Sequence, residues 1–269
     1  MRQLLMFVLL SASLAAPDTV VEGRKVHYSV TGAGPSALVL IHGWTCDLSY
    51  WSANVPDLAK HYRVLAVDLP GHGQSDPAPG YSMDSFADAV SAAMNAEHIG
   101  KAALVGHSMG GAILLAFARR HPEQATALVA VDGPMIDSAT AERFEAFAKG
   151  FEGPDAMAIR EKMIASLFST ATTPELKERI RKGMLATPAA VAAGAMLGMA
   201  SPPFWHDDTI GLPFLEIAAA NNTSMTLESL QRHFPKAELK RIDGTGHFLM
   251  MEKPAEFDQM LLDWLGAGQ

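Results

Sequence analysis

The stretch Leu104-Val105-Gly106-His107-Ser108-Met109-Gly110-Gly111 decides how this chain is read. An apolar run of strand length, Ala102 to Val105, leads into it, and from Met109 to Arg120 the apolar residues recur three and four apart, as on a helix. Between the two stands G-x-S-x-G. Its glycines permit a sharp strand-to-helix turn where larger side chains would meet neighbouring backbone, and Ser108 at the apex projects its hydroxyl above the end of the sheet. The positive N-terminal field of the following helix lies beside that hydroxyl.

The same alternation repeats on both sides. Val20-Val21, a turn at Glu22-Gly23 and Lys25 to Val30 read as a hairpin. Apolar runs of strand length follow at Ala37 to Ile41, Val64 to Val67, Ala127 to Val131 and Phe214 to Ala218, with a mixed run at Glu238 to Ile242. Most are apolar on both faces, as a parallel sheet covered by helices requires. Helical spacing marks Leu48 to Ala59, Ser85 to His98, Thr226 to Phe234 and Pro254 to Leu265. The expected fold is therefore α/β, a mostly parallel doubly wound sheet. One interval breaks the pattern. Residues 138–205 hold helical stretches rich in Ala, Met and Phe, among them Arg143 to Phe151 and Asp155 to Phe168, and no strand. This interval is expected to be an inserted helical cap, with 17–137 and 206–269 forming the core. Met184, Met196 and Met199 are expected to be ordinary packing.

Composition narrows the partners. The 269 residues are 49% hydrophobic and 19% charged, which suits a globular chain with a large core. A formal charge of −8 with no basic block gives no footprint for nucleic acid, and no apolar stretch approaches the length of a membrane span. A small-molecule substrate with an apolar acyl group is the expected partner. Cys46 stands alone, so it forms no intrachain disulfide and reads as a small buried side chain. No metal-ligand cluster or dinucleotide fingerprint is visible, so no cofactor is expected. Residues 1–16 place Arg2 ahead of the apolar run Leu4 to Leu10 and a small-residue stretch ending Ala15-Ala16. That order reads as a signal peptide cleaved after Ala15 or Ala16, with a destination in the periplasm or outside the cell.

Ser108 requires a base. His247, in Gly244-Thr245-Gly246-His247-Phe248 just after the last strand, can return to the same sheet edge, whereas His107 is expected to pack beneath the site and His121 and His233 at the surface. With these residues in place the chain resembles the α/β-hydrolase superfamily along essentially all of its length after residue 16. Leu40-Ile41-His42-Gly43-Trp44 is similar to the family's HG loop, and Asp68-Leu69-Pro70-Gly71-His72-Gly73-Gln74-Ser75 to its D-x-P-G-x-G-x-S segment. The resemblance implies an oxyanion hole from the backbone N–H groups of Trp44 and Met109, leaving both side chains free to line the pocket. Asp68, Ser75 and His42 are expected to hold loops.

The chain departs from the family at the acid. Family members commonly carry it after the strand that here is Phe214 to Ala218, yet Ala220-Asn221-Asn222-Thr223 offers no carboxylate. Asn in place of the acid lowers a serine protease by about 10⁴. Asp132, at the end of the Ala127 to Val131 strand, is the best replacement, since some α/β-hydrolases place the acid there; Glu216 lies mid-strand and Asp243 too close to His247. Asn222→Ala is then expected to do little. The expected function is a serine hydrolase that cleaves a carboxylic ester or lactone through Ser108, His247 and Asp132. The alternatives are a carbon–carbon or thioester hydrolase with the same residues, and a hydrolase-fold binding or signalling protein with little turnover.

Overall fold

The computed structural model describes residues 17–133, 138–151, 153–201, 208–223 and 225–267. The expected signal peptide at residues 1–16, and the junctions of the insertion at 134–137 and 202–207, lie outside them. Eight strands form one sheet: β1 (Asp18–Val21), β2 (Arg24–Thr31), β3 (Ala37–Ile41), β4 (Arg63–Val67), β5 (Ala102–His107), β6 (Ala125–Val131), β7 (Phe214–Ala219) and β8 (Ala237–Ile242). Their order is β1-β2-β4-β3-β5-β6-β7-β8. β1 with β2 and β2 with β4 are antiparallel, and every later neighbour is parallel. Every residue of β3, β5 and β7 is buried, whereas the edge strand β1 alternates between exposed and half-buried. That contrast follows from helices covering both faces of the centre and leaving the edges wet. The first turn has φ of 49° at Glu22 and 77° at Gly23. Positive φ at both central residues gives a hairpin turn whose twist matches the strands.

The helices of the core are α1 (Val55–Leu58), α2 (Met83–Ala96), α3 (Met109–Arg120), α8 (Leu227–Gln231), α9 (Leu249–Glu252) and α10 (Pro254–Ala267). α3 has the bounds its spacing predicts. Two expectations were too long. The expected helix Leu48 to Ala59 is a 3₁₀ turn at Leu48–Trp51 followed by the single turn of α1. Pro56 has no N–H to continue the ladder, and the Asn54 amide is drawn away to the Met250 carbonyl (3.1 Å) and Asp258 Oδ1 (2.9 Å). The expected helix Thr226 to Phe234 is trimmed to α8, because Thr226 acts as its N-cap in a capping box with Ser229.

Between β6 and β7 the described residues form four helices: α4 (Ser138–Gly150), α5 (Ala156–Ser166), α6 (Pro174–Ala186) and α7 (Ala189–Ala200). They pack onto loops at the C-terminal ends of the strands. The Trp44 indole N–H donates to the Ala192 carbonyl (2.8 Å), the Thr187 hydroxyl to the Thr45 carbonyl (3.1 Å), and Arg179 Nη2 to the Ser49 carbonyl (2.7 Å). Met184, Met196 and Met199 are buried packing. Among the described residues no single helix is long and apolar enough to cross a membrane; α6 and α7 reach that length only together, and they are bent by 92°.

One buried acid in this frame carries a pH dependence. Asp258 on α10 is 3% exposed. Burial, aided by the charge of Asp57 and opposed by the Asn54 hydrogen bond, pushes it up to about 7. Between the ordinary carboxylate range of about 4 and 7 the unfolded chain has lost this proton and the folded chain keeps it, so this group makes stability fall as pH rises. Urea midpoints at pH 5, 6, 7 and 8 are expected to show that decline in the wild type and a shallower one in Asp258→Asn; parallel curves would contradict it.

Candidate active site

Ser108 sits where β5 becomes α3, with φ of 51° and ψ of −118°. Such a backbone costs free energy for a non-glycine residue and persists only where its surroundings fix it. They do so here. The Ser108 N–H donates to the Val131 carbonyl (2.9 Å) and the Gly111 N–H to the Ser108 carbonyl (2.8 Å). A Cβ on Gly106 would lie 2.3 Å from the Gly110 carbonyl oxygen, and one on Gly110 would lie 2.7 Å from that of Ile41. Both glycines are thus required by close backbone approach.

Asp132 ends β6 in the left-handed region, φ 45°, while its N–H still continues the ladder to the Ile217 carbonyl (2.9 Å). That kink aims its carboxylate at the loop after β8. Oδ2 lies 2.7 Å from His247 Nδ1. Oδ1 accepts from the Ala219 N–H (3.1 Å) and from the side-chain amide of Asn222 (2.9 Å). Burial pushes the Asp132 carboxyl up, but the hydrogen bonds from His247, Asn222 and Ala219 and the attraction of His247 outweigh it and hold the group below its ordinary value. An ionised carboxylate accepts only, so His247 Nδ1 donates to it and Nε2 is the nitrogen turned away from the acid. The expectation for Asn222 is revised at this point. Asn222 stands where the family's acid is commonly found, and its amide reaches the substituted acid instead.

Buried polar groups hold these loops from below. His107 Nε2–H donates to the His247 carbonyl (2.8 Å), with the two rings 4.8 Å apart. Burial, with the nearby His247, pulls His107 down to about 3, so its ring is neutral. His42 Nδ1–H donates to the Gly43 carbonyl (2.8 Å) and Nε2 accepts the Leu69 N–H (3.0 Å); burial pulls it down to about 4. Asp68 accepts the N–H groups of Leu48 and Gln74, each at 2.8 Å, and the Ser75 hydroxyl donates to the Asp68 carbonyl (2.6 Å). Glu216 is fully buried and accepts the Gly133 N–H (3.0 Å), while Asp243 offers its carbonyl to Lys253 (2.7 Å). Neither carboxylate is on His247. His121 pairs with Asp88, 2.9 Å away. Glu252 is a support the sequence reading missed: it accepts the Gly246 N–H (2.5 Å), just before His247, together with the hydroxyls of Ser169 (3.1 Å) and Thr172.

The loop after β3 passes against the serine, since a Cβ on Gly43 would lie 3.1 Å from Ser108 Cβ. Trp44 is the next residue. Met109 opens α3, so its N–H has no intrahelical acceptor. The expectation that both side chains stay free to line a pocket is corrected: Met109 is fully buried in the core, and Trp44 is 4% exposed, its indole bonded to Ala192 and stacked on Phe151 at 5.4 Å. Trp44 thereby fastens the insertion to the core. Cys46 is buried, which pushes its thiol up and keeps it protonated. Among the described residues no group of three or more His, Cys, Asp or Glu could hold a metal ion.

The family profile of the alpha/beta hydrolase fold matches residues 36–254, and the chain belongs to that family. It is a hydrolase by this membership and its relatives. It is 30% identical over 262 residues to the 2-hydroxy-6-oxononadienedioate/2-hydroxy-6-oxononatrienedioate hydrolase of Paraburkholderia phymatum, covering 90% of this chain and 91% of that one. It is 26% identical to the pimeloyl-[acyl-carrier protein] methyl ester esterase of Nitrosomonas europaea, over 87% of this chain and 96% of the relative. Among solved structures, a thermophilic esterase from Thermogutta terrifontis in a malate-bound form superposes with a TM-score of 0.82 at 28% identity, covering 94% of this chain and 97% of that one.

The Asn222 contact sets a prediction. A hydrogen bond to a charged group contributes about 1.5 kcal/mol or more, so Asn222→Ala is expected to lower kcat/KM on p-nitrophenyl butyrate by about tenfold. An unchanged value would mean that the Ala219 N–H alone holds Asp132.

Proposed function

We propose that this hydrolase cleaves a carboxylic ester or lactone through an acyl-enzyme on Ser108. The observation that carries the reading is the 2.7 Å contact between His247 Nδ1 and Asp132 Oδ2, made at the same sheet edge as the Ser108 turn. It also weakens the alternative of a non-turning binding protein, whose main support was the missing acid after β7.

In this mechanism His247 Nε2 takes the Ser108 hydroxyl proton as Oγ attacks the carbonyl carbon. Asp132 stabilises the imidazolium that forms. The N–H groups of Trp44 and Met109 hold the negative oxygen of the tetrahedral intermediate, a contribution of on the order of 10²- to 10³-fold per donor. His247 then gives its proton to the leaving alcohol, and the ester bond breaks to leave Ser108 acylated. Water, deprotonated by the same nitrogen, attacks the acyl carbon, and Ser108 recovers its proton. A carbon–carbon hydrolase using the same three residues is the second reading, favoured by the likeness to the Paraburkholderia phymatum hydrolase. We also propose that residues 1–16 direct export to the periplasm or beyond, which N-terminal sequencing of the mature protein checks.

The test is turnover of p-nitrophenyl esters from acetate to decanoate by the wild type beside Ser108→Ala and Asp132→Asn. Ester turnover is expected to vanish in Ser108→Ala and to fall by about 10⁴ in Asp132→Asn, the scale seen when a serine protease acid is so changed. Turnover that survives Ser108→Ala would contradict the acyl-enzyme.

A further inference from the structure

Arg241, on β8, is half-buried beside β7, where its partner in the register is Ala218. Its guanidinium turns to the chain that leaves β7 and donates to three backbone carbonyls there. Nη1 reaches those of Ala219 (3.2 Å) and Asn222 (2.7 Å), and Nη2 reaches that of Met225 (2.6 Å). A planar fork of N–H donors can serve carbonyls that converge from different parts of a loop, whereas an ammonium is a single point.

Between 219 and 225 the sequence holds neither glycine nor proline to set the course of this loop. Within it the Asn222 N–H donates to the Ala219 carbonyl (3.0 Å) and the Thr223 N–H to that of Asn221 (3.0 Å), so it turns back on itself and brings its carbonyls toward β8. Two of the three residues that Arg241 holds are the two that donate to Asp132 Oδ1. Ala219 does so through its N–H (3.1 Å) and Asn222 through its side-chain amide (2.9 Å). Asn222 is thus fixed at both ends, its backbone by Arg241 and its amide by Asp132. Asp132 in turn meets His247 Nδ1 at 2.7 Å. The hydrogen bonds of Arg241 stop at the loop, so whatever it does for the base it does through Asn222, Ala219 and the acid.

We propose that Arg241 is a positioning residue for the acid, fixing the loop after β7 so that Asn222 and Ala219 both donate to Asp132 Oδ1. Its effect on turnover rests on the ester-hydrolase reading, whereas its hold on the contact between Asp132 and His247 does not. Without the three carbonyl bonds the loop is freed, the Asn222 amide leaves the carboxylate, and the acid orients His247 less well. That loss falls on kcat and leaves KM near its wild-type value, because the groups concerned act on the base and not on bound substrate.

The experiment is a double-mutant cycle: kcat and KM on p-nitrophenyl butyrate for the wild type, Arg241→Met, Asn222→Ala and the double variant. The His247 Nδ1 proton is followed alongside by proton NMR without substrate, its resonance assigned by its loss in His247→Ala. Arg241→Met is expected to lower kcat by about tenfold, as Asn222→Ala does, and the double variant to stay near that value, well short of the roughly 100-fold that two independent losses give. The His247 resonance is expected to shift or broaden in Arg241→Met and in Asn222→Ala, and no further in the double variant. Arg241→Lys, which keeps the charge but not the fork, is expected to lose a smaller part, and it carries the cycle if Arg241→Met does not fold. Additive losses, a rise in KM at constant kcat, or a His247 resonance unmoved by the Arg241 substitution would overturn the proposal and leave Arg241 as a loop staple alone. A resonance that depends on Arg241 in a protein with no Ser108-dependent ester turnover would overturn the ester-hydrolase reading and keep the positioning role.

Discussion

The hydrogen bond between Asp132 and His247 joins the ends of β6 and β8, and the rest of the site is arranged around it. Burial of a carboxylate that is 8% exposed disfavours its ionised form, and hydrogen bonds must offset that cost. The acid is kept ionised by three donors from three places: the ring of His247, the amide of Asn222 and the backbone of Ala219. Because the acid is ionised, it takes its proton donor from His247 Nδ1, which orients the ring with Nε2 turned away from the acid. The positive φ of Asp132 serves the same end, turning its side chain out of the ladder while its own N–H remains in it.

Beneath that contact the sheet edge is built from neutral histidines and buried acids, each of which satisfies a backbone N–H or carbonyl group that the loops would otherwise leave unpaired. His107 holds His247 from below, His42 joins the loops after β3 and β4, and Glu216 holds Gly133 just after Asp132. Glu252 reaches in two directions, to Gly246 in the core and to Ser169 and Thr172 in the insertion. Any shift of that part of the insertion therefore bears on the loop of the proposed base. Trp44 makes a comparable tie on the other side, where an oxyanion donor is proposed.

The parts of this arrangement written in local sequence were legible in advance. Apolar runs separated by helical spacing announced the sheet and α3, and glycines at 106 and 110 announced the turn, because their cause is the immediate crowding of backbone. What escaped depends on residues far apart in the chain. The helix expected from Leu48 was broken by Pro56 and by a pull on Asn54 from residues about two hundred positions away. Asn222 read only as a missing acid, since nothing in its neighbourhood reports that β6 lies alongside and carries Asp132. Trp44 likewise read as a pocket wall, and Ala192, to which its indole donates, has no sequence signal that would reveal the bond.

The central claim is that Ser108 is made nucleophilic by His247 and Asp132, and the most direct measurement is the rate and position of labelling by a fluorophosphonate, read by peptide mass spectrometry. The account predicts covalent modification at Ser108 alone, slowed by orders of magnitude in Asp132→Asn and absent in His247→Ala. Modification at another residue, or a Ser108 rate indifferent to both substitutions in folded protein, would contradict it.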